Sequence, residues 1–351
     1  MAQEQSNPNE VVLGQEINGA RVVTLNRPRQ LNGINDRVVY LLAQLLEKWE
    51  KDANAKLVIF KVALVNGLVM GGGAAMVAPL KFAVVTEKTV FATPEASVGL
   101  HTDCSFSYIH SRLPGYLGEY LALTGARLNA KEMITAGLAT HFVHSEYFEL
   151  GSKHKNLILS TCSLTNKILA DIGDESAVRA VIEEFSTDVQ LDQESILNKL
   201  PTIDKCFSAE TVEEILKALD SEVSVDGNQW IAPVLKSMRR SSPTGLKITL
   251  RSVREGRKQS LQECLKKEFG LTMNILRSII TGDVYEGIRA QSIDKDNAPK
   301  WSPATVEEVK NEDIDRVFEP FSSGHELQVP SDDSNRWSGK YEHTVYAKSS
   351  Q

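Results

Sequence analysis

The chain reads as an α/β fold with a C-terminal helical layer, and three patterns carry that reading. Through about residue 155, short apolar runs rich in β-branched residues alternate with segments of helical periodicity, the mark of a layered α/β core. Beyond that point the pattern becomes a series of amphipathic helices with acidic starts. From about Glu319 the chain turns polar, with Ser, Gly and Pro. The organisation expected is an α/β core over 10–155, a helical subdomain over 156–320 and a flexible tail over 321–351.

The elements follow in order. VVLGQEI and ARVVTLN carry β-branched residues on either side of Asn18-Gly19, so they predict two strands joined by a tight turn. VVYLLAQLLEKWEKDA, apolar at helical spacing and charged at its end, predicts a helix, and LVIF (Leu57 to Phe60) a buried strand. Ala63 to Met76, ALVNGLVMGGGAAM, runs from a strand-like segment through three glycines into small residues. KFAVVTE and FATPEASVGL read as extended, LGEYLALTG and NAKEMITAG as helices, followed by HFVH. In the second half DESAVRAVIEEFS, DQESILNKL, SAETVEEILKALD, TGLKITLRSVREG and LQECLKKEFGLTMNILRSI predict amphipathic helices with solvated charged faces.

Composition narrows the function classes. With 351 residues, 42% of them hydrophobic and 24% charged, the chain can bury a large core. A net charge of −7 without a long Lys/Arg block gives nucleic-acid binding little electrostatic support. The four cysteines, Cys104, Cys162, Cys206 and Cys264, lie far apart without metal-ligand spacing, which predicts reduced thiols in an intracellular protein rather than disulfides or zinc. The polar N-terminus is not a secretory signal, no run is long enough to span a membrane, and the final Ser349-Ser350-Gln351 is not an SKL-type peroxisomal tripeptide.

Two features carry chemistry. A strand turning into a helix at Gly71-Gly72-Gly73 would aim backbone N–H groups and the positive end of a helix dipole at an oxyanion or phosphate. A glycine-rich packing seam is the plainer alternative. Downstream, Glu95 and Asp103 lie eight residues apart around Gly99 beside an apolar segment. Two carboxylates near an oxyanion site suit water activation on an acyl carbonyl, and apolar surroundings would raise a carboxyl into a useful range. Capping or ion pairing is the alternative for each.

Taken together, LNRPRQLN, ALVNGLVMGGGAAM, TEKTVFATPEASVGL, RLPGYLGEYLALTGARLNAKE, AGLATHFV, SPTGLKITLR and YEGIRAQSIDKDNAPKW resemble the enoyl-CoA hydratase/isomerase (crotonase) superfamily, and within it the plant-type 3-hydroxyisobutyryl-CoA hydrolase branch. The resemblance runs to about Phe321, and the SPT and IDKD motifs separate this branch from ordinary hydratases. It implies a crotonase-like spiral of ββα units holding an acyl-CoA, with CoA as part of the substrate and no metal or redox cofactor. It also implies valine catabolism, a peroxisomal or else cytosolic setting, and self-association.

Residue by residue, Gly72, flanked by Gly71 and Gly73, matches an N–H donor to the thioester oxygen. Glu95 matches the acid that acts on the thioester carbonyl as nucleophile or through water, and Asp103 the acid that engages the substrate hydroxyl and the water. Ala75 stands where hydratases carry a glutamate, which favours hydrolysis over hydration. Arg27 and Arg29 match the stretch beside the CoA nucleotide, with ordinary surface charge as the alternative.

Two departures qualify the match. In the family the strand corresponding to LVIFK is followed by an AGGD-type loop, which supplies the other oxyanion N–H, and by a helix. Here Lys61 joins Val62 directly. Parallel neighbours need a crossover of about a dozen residues or more, so LVIF and VALVN cannot both hold their family positions without rearrangement. The second departure is His101-Thr102-Asp103-Cys104-Ser105-Phe106-Ser107, where the family has Phe-Pro-Asp and a glycine-rich turn. Without a GxSxG elbow, His101 and His110 are expected as hydrogen-bonded neighbours rather than partners of a Cys or Ser nucleophile. Four readings of function follow: a thioester hydrolase, a CoA-binding protein with weak or no catalysis because of the missing loop, a destabilised splice-type product with no independent function, and, disfavoured by Ala75, an enoyl-CoA hydratase.

Overall fold

A computed structural model describes residues 10–30, 32–60, 64–149, 168, 174–320, 325–329 and 339–342. It divides into two compact units that interleave along the chain: residues 1–91 with 128–191, and residues 92–127 with 192–351. The division expected at 155 falls outside the described residues, as does most of the tail expected from 321.

The first unit holds the strands. β1 (Val12–Ile17) pairs antiparallel with β2 (Ala20–Leu25) across the two-residue turn Asn18-Gly19, where Asn18 takes the left-handed φ of +51° that such turns use. β3 (Leu57–Phe60) then joins β2 in parallel, after the helix Asp36–Glu50 has supplied the crossover. Asn35 starts that helix by accepting the amide of Val38 at 3.0 Å.

Strand β2 shows why this sheet forms. Its even residues Ala20 and Val22 pack with Ile59, Val84, Val143 and helix Glu175–Phe185, while Val23 and Leu25 pack with Val38, Leu42 and Trp49 of helix Asp36–Glu50. Side chains alternate across a strand, so a run with apolar residues at both odd and even positions is buried on both faces. Its one charged member, Arg21, is buried and pairs with Asp52.

Two further three-stranded sheets complete the unit. In one, β6 (Val84–Val85) lies between β4 (Leu64–Val65) and β9 (His141–Phe142), all parallel. In the other the order is β5 (Leu68–Met70), β7 (Val90–Ala92), β8 (Leu128–Asn129). β3 and β4 therefore enter different sheets although only residues 61–63 separate them.

The second unit is helical. Helices Pro243–Gly256, Leu261–Leu276, Asp283–Ile288 and Asn311–Phe318 share a core of Ile248, Leu271, Ile275, Val284, Ile314 and Val317, against which Leu100 packs. The segment DQESILNKL departs from its expected amphipathic helix. Ser195 caps a single 3-10 turn, Ile196–Lys199, and the α-helix follows over Leu200–Phe207, where Pro201 sits in the first turn and costs no hydrogen bond.

Candidate active site

In the first unit the glycine triplet ends β5 and opens one helical turn, Gly72–Ala75. Gly71 stands at φ +54° and ψ −130°, a region closed to side chains, and its carbonyl accepts the amide of Ala74 at 2.9 Å. Among the described residues, a Cβ on Gly72 would touch only Ile34, at 3.5 Å, and one on Gly73 would meet nothing within 4 Å. Packing within this unit therefore does not demand glycine at 72 or 73, which weighs against the packing-seam alternative. The amides of Gly72 and Gly73 begin a helical turn and so have no intrahelical acceptor. Ala75, which ends the turn, offers a methyl group and no acid.

The two arginines of LNRP differ in availability. Arg27 closes its own loop, taking Asn32 on its backbone N–H at 2.8 Å and donating its guanidinium to the Gly33 carbonyl. Arg29 is exposed on the short turn Pro28–Gln30 and has no ion-pair partner among the described residues.

The acids belong to the second unit. Glu95–Val98 forms a 3-10 turn ended by Gly99, and three contacts from downstream helices hold it. The backbone N–H of Ser242 donates to the Ala96 carbonyl at 3.1 Å, and the side-chain amide of Gln291 donates to the Ser97 carbonyl at 2.6 Å. Gly287 backs onto Val98 so closely that a Cβ would lie 2.2 Å from its carbonyl oxygen. The SPTG and YEGIRAQ motifs thus both serve the turn that carries Glu95.

Glu95 is 8% exposed, and its Oε2 has no hydrogen-bond partner among the described residues. Burial pushes its carboxyl up to about 8; its own backbone N–H opposes that rise and the charge of Asp103 adds to it. Asp103 is half-buried and accepts the Thr272 hydroxyl at 3.2 Å. Thr272 also lies 2.9 Å from Nε2 of His101.

After Asp103 the chain makes a strained turn. Cys104 and Ser105 both adopt left-handed backbone, at φ +57° and +76°, where the resemblance implies a glycine-rich turn. The amides of Ser105 and Ser107 donate to the buried carboxyl of Glu268, at 2.5 and 2.7 Å. Burial pushes that carboxyl up to about 7 against the pull of those amides. Glu268 and Thr272 are contacts the motifs do not announce. Their signal was helical period: Glu268 falls on the stripe of Cys264, Leu271 and Ile275, a carboxyl on an apolar face.

The histidines are neighbours, as expected. Burial pushes both imidazoles down, His110 to about 3. Nε2 of His110 meets Thr93 at 3.1 Å and that of His101 meets Thr272, and neither ring is hydrogen-bonded to Cys104, Ser105 or Ser107. Cys104, Cys206 and Cys264 are free, and Cys162 lies outside the described residues. No helix among the described residues is long and apolar enough to cross a membrane.

Comparisons with known proteins agree along the chain. The family described as Enoyl-CoA hydratase/isomerase matches residues 20–62 and 60–318, in two pieces that meet at the junction of Lys61 and Val62. An Arabidopsis thaliana protein named 3-hydroxyisobutyryl-CoA hydrolase-like protein 5 is 52% identical over 395 residues, covering 99% of each chain. An alignment of that length over 351 residues leaves dozens of positions with no residue of this chain opposite them. The human mitochondrial 3-hydroxyisobutyryl-CoA hydrolase is 34% identical, covering 86% of each chain. A crystal structure of a carnitinyl-CoA dehydratase from Mycobacterium thermoresistibile superposes with a TM-score of 0.77 at 27% identity, over 92% of this chain and 100% of that one. Sequence and fold together show that the chain belongs to the enoyl-CoA hydratase/isomerase (crotonase) family, in its 3-hydroxyisobutyryl-CoA hydrolase branch.

Proposed function

We propose that the protein hydrolyses an acyl-CoA thioester, 3-hydroxyisobutyryl-CoA, to 3-hydroxyisobutyrate and CoA, a step of valine breakdown. The observation that carries the reading is Glu95: a buried carboxyl with one oxygen unpartnered, in a turn held by the branch's own motifs. A buried polar atom without a partner is costly unless a ligand or water meets it.

The chemistry needs no metal or redox group. An oxygen nucleophile bonds to the thioester carbon and the carbonyl electrons move onto the oxygen. They return as the C–S bond breaks, and CoA leaves as a thiol after taking a proton. Water supplies the oxygen and the proton overall, whether Glu95 attacks and the anhydride is then hydrolysed or Glu95 takes the proton from an attacking water. Either route uses ionised Glu95. In this reading Gly72 donates its amide to the developing oxyanion, beside Gly71 and Gly73, and Asp103 engages the substrate hydroxyl. Arg29, exposed as it is, suits a CoA phosphate better than Arg27, which closes its own loop.

Free thiol release from 3-hydroxyisobutyryl-CoA by the purified protein, lost in Glu95→Gln, is the expected result. Hydration of crotonyl-CoA outpacing thiol release would overturn the reading, because Ala75 supplies no acid for it. A second reading, CoA binding with weak turnover, draws on the separation of β3 and β4 into different sheets. Calorimetric binding of CoA without thiol release would favour it. The resemblance favours a peroxisomal or else cytosolic setting for this reading; a fluorescent fusion found in mitochondria, the compartment in the human relative's name, would correct that.

A further inference from the structure

We propose that Glu268 and Thr272, one turn apart on helix Leu261–Leu276, are positioning residues that together fix the geometry of Asp103 from both sides of the strained Cys104-Ser105 turn. The proposal rests on the hydrolase reading for Asp103, but its contacts stand independently of it. Residues four apart share one face of a helix, so both side chains reach the same loop. Thr272 holds the loop before the turn, with its hydroxyl on the Asp103 carboxylate at 3.2 Å and 2.9 Å from His101 Nε2. Glu268 holds it after the turn through the amides of Ser105 and Ser107.

The strain explains why two anchors are needed. Two consecutive non-glycine residues at positive φ, Cys104 and Ser105, form a conformation the backbone leaves unless its surroundings hold it. A carboxylate taking two amides at once is the strongest acceptor available for that purpose, and Glu268, 2% exposed, is shielded from competing water. Because Thr272 bonds the carboxylate itself, losing its hydroxyl frees the Asp103 side chain with little change to the fold.

The test compares Thr272→Val, Thr272→Ser and Glu268→Gln with the unaltered protein, measuring kcat and KM for 3-hydroxyisobutyryl-CoA beside amide hydrogen exchange over residues 103–108. Thr272→Val, nearly isosteric, is expected to lower kcat about tenfold at unchanged KM, with Thr272→Ser restoring it. Glu268→Gln keeps one acceptor oxygen but turns an NH2 toward the second amide, and should speed exchange at Ser105 and Ser107 and also lower kcat. Wild-type kcat in Thr272→Val, or unchanged exchange in Glu268→Gln, would overturn the proposal while leaving the hydrolase reading in place. A parent protein that releases no thiol removes that reading instead, and the exchange rates still decide whether Glu268 anchors the turn.

Discussion

The backbone N–H of Ser242 donates to the carbonyl of Ala96 at 3.1 Å, which ties the residue next to Glu95 to the start of helix Pro243–Gly256. The Ser242 hydroxyl in turn donates to Asp283 at 2.6 Å and accepts the Gly245 amide at 2.9 Å. One side chain thus caps a helix and satisfies a buried carboxylate that also accepts the Ser302 amide at 3.2 Å. Ser242→Ala should cost about 2–3 kcal/mol, a lost cap plus a lost charge-assisted bond. A lower urea midpoint at unchanged m-value, with a reduced kcat, is the expected result. A shift below about 0.5 kcal/mol would show that water replaces the hydroxyl.

Glu95→Gln should abolish thiol release and yet stabilise the protein at alkaline pH. The folded protein keeps a proton on Glu95 up to about pH 8, whereas the unfolded chain loses it near the ordinary value of 4.5. Between those values the native state binds more protons, so stability falls as pH rises. Glu268, pushed up to about 7, adds to the fall in the same sense. The variant should therefore lose less stability between about pH 5 and 8, and at pH 8 exceed the parent by on the order of a few kcal/mol. In the parent, kcat/KM should climb with pH toward about 8 as Glu95 ionises. Urea midpoints of both proteins across this range decide it: parallel profiles would mean that Glu95 is not protonated in the native state.

Cys104→Gly tests the turn after Asp103. Cys104 holds φ +57°, which costs a side chain about 1–2 kcal/mol, and glycine would relieve that while adding some freedom to the unfolded chain. The expected outcome is a gain of up to about 1 kcal/mol with thiol release retained, since Glu95 rather than the thiol is assigned the chemistry. Loss of turnover in a folded Cys104→Gly protein would return the thiol to consideration.

Much of the fold was legible because local signals agreed with the tertiary result. The Asn18-Gly19 turn, the apolar run of β2 buried on both faces and the capping boxes at Asn129 and Thr211 are each written in a few neighbouring residues. The short strands were legible only as extended segments: KFAVVTE keeps just Val84–Val85 in a ladder, since pairing depends on what lies beside it. The helix Ile231–Arg240 is missing from the expected elements although its signal is present, with Ile231, Val234, Leu235 and Met238 at helical spacing and Pro233 suited to a first turn. At the candidate site, motif spacing pointed to Glu95 and Asp103, but spacing is blind to Glu268 and Thr272, which reach the loop from more than 160 residues away in sequence. The IDKD motif proved to be an ion-pair knot, in which Arg289 reaches Asp294 and Asp296 at 2.7 Å each.

The junction after Phe60 sets the last prediction. β3 pairs with β2, and β4, starting at Leu64, pairs with β6 in another sheet. The expectation that two parallel neighbours cannot be joined so briefly is met by their not being neighbours at all. If the family loop absent here supplies the second oxyanion donor, this chain stabilises the tetrahedral oxyanion with the Gly72 amide alone. Losing one such donor costs about 2.7–4 kcal/mol, or roughly a hundred- to a thousandfold in kcat. Inserting the corresponding segment of the Arabidopsis relative after Lys61 should therefore raise kcat by about that factor with a smaller change in KM, since the donor acts mainly on the transition state. Equal kcat with and without the insert, in two proteins of equal folded fraction, would show that this chain recruits a second donor from elsewhere.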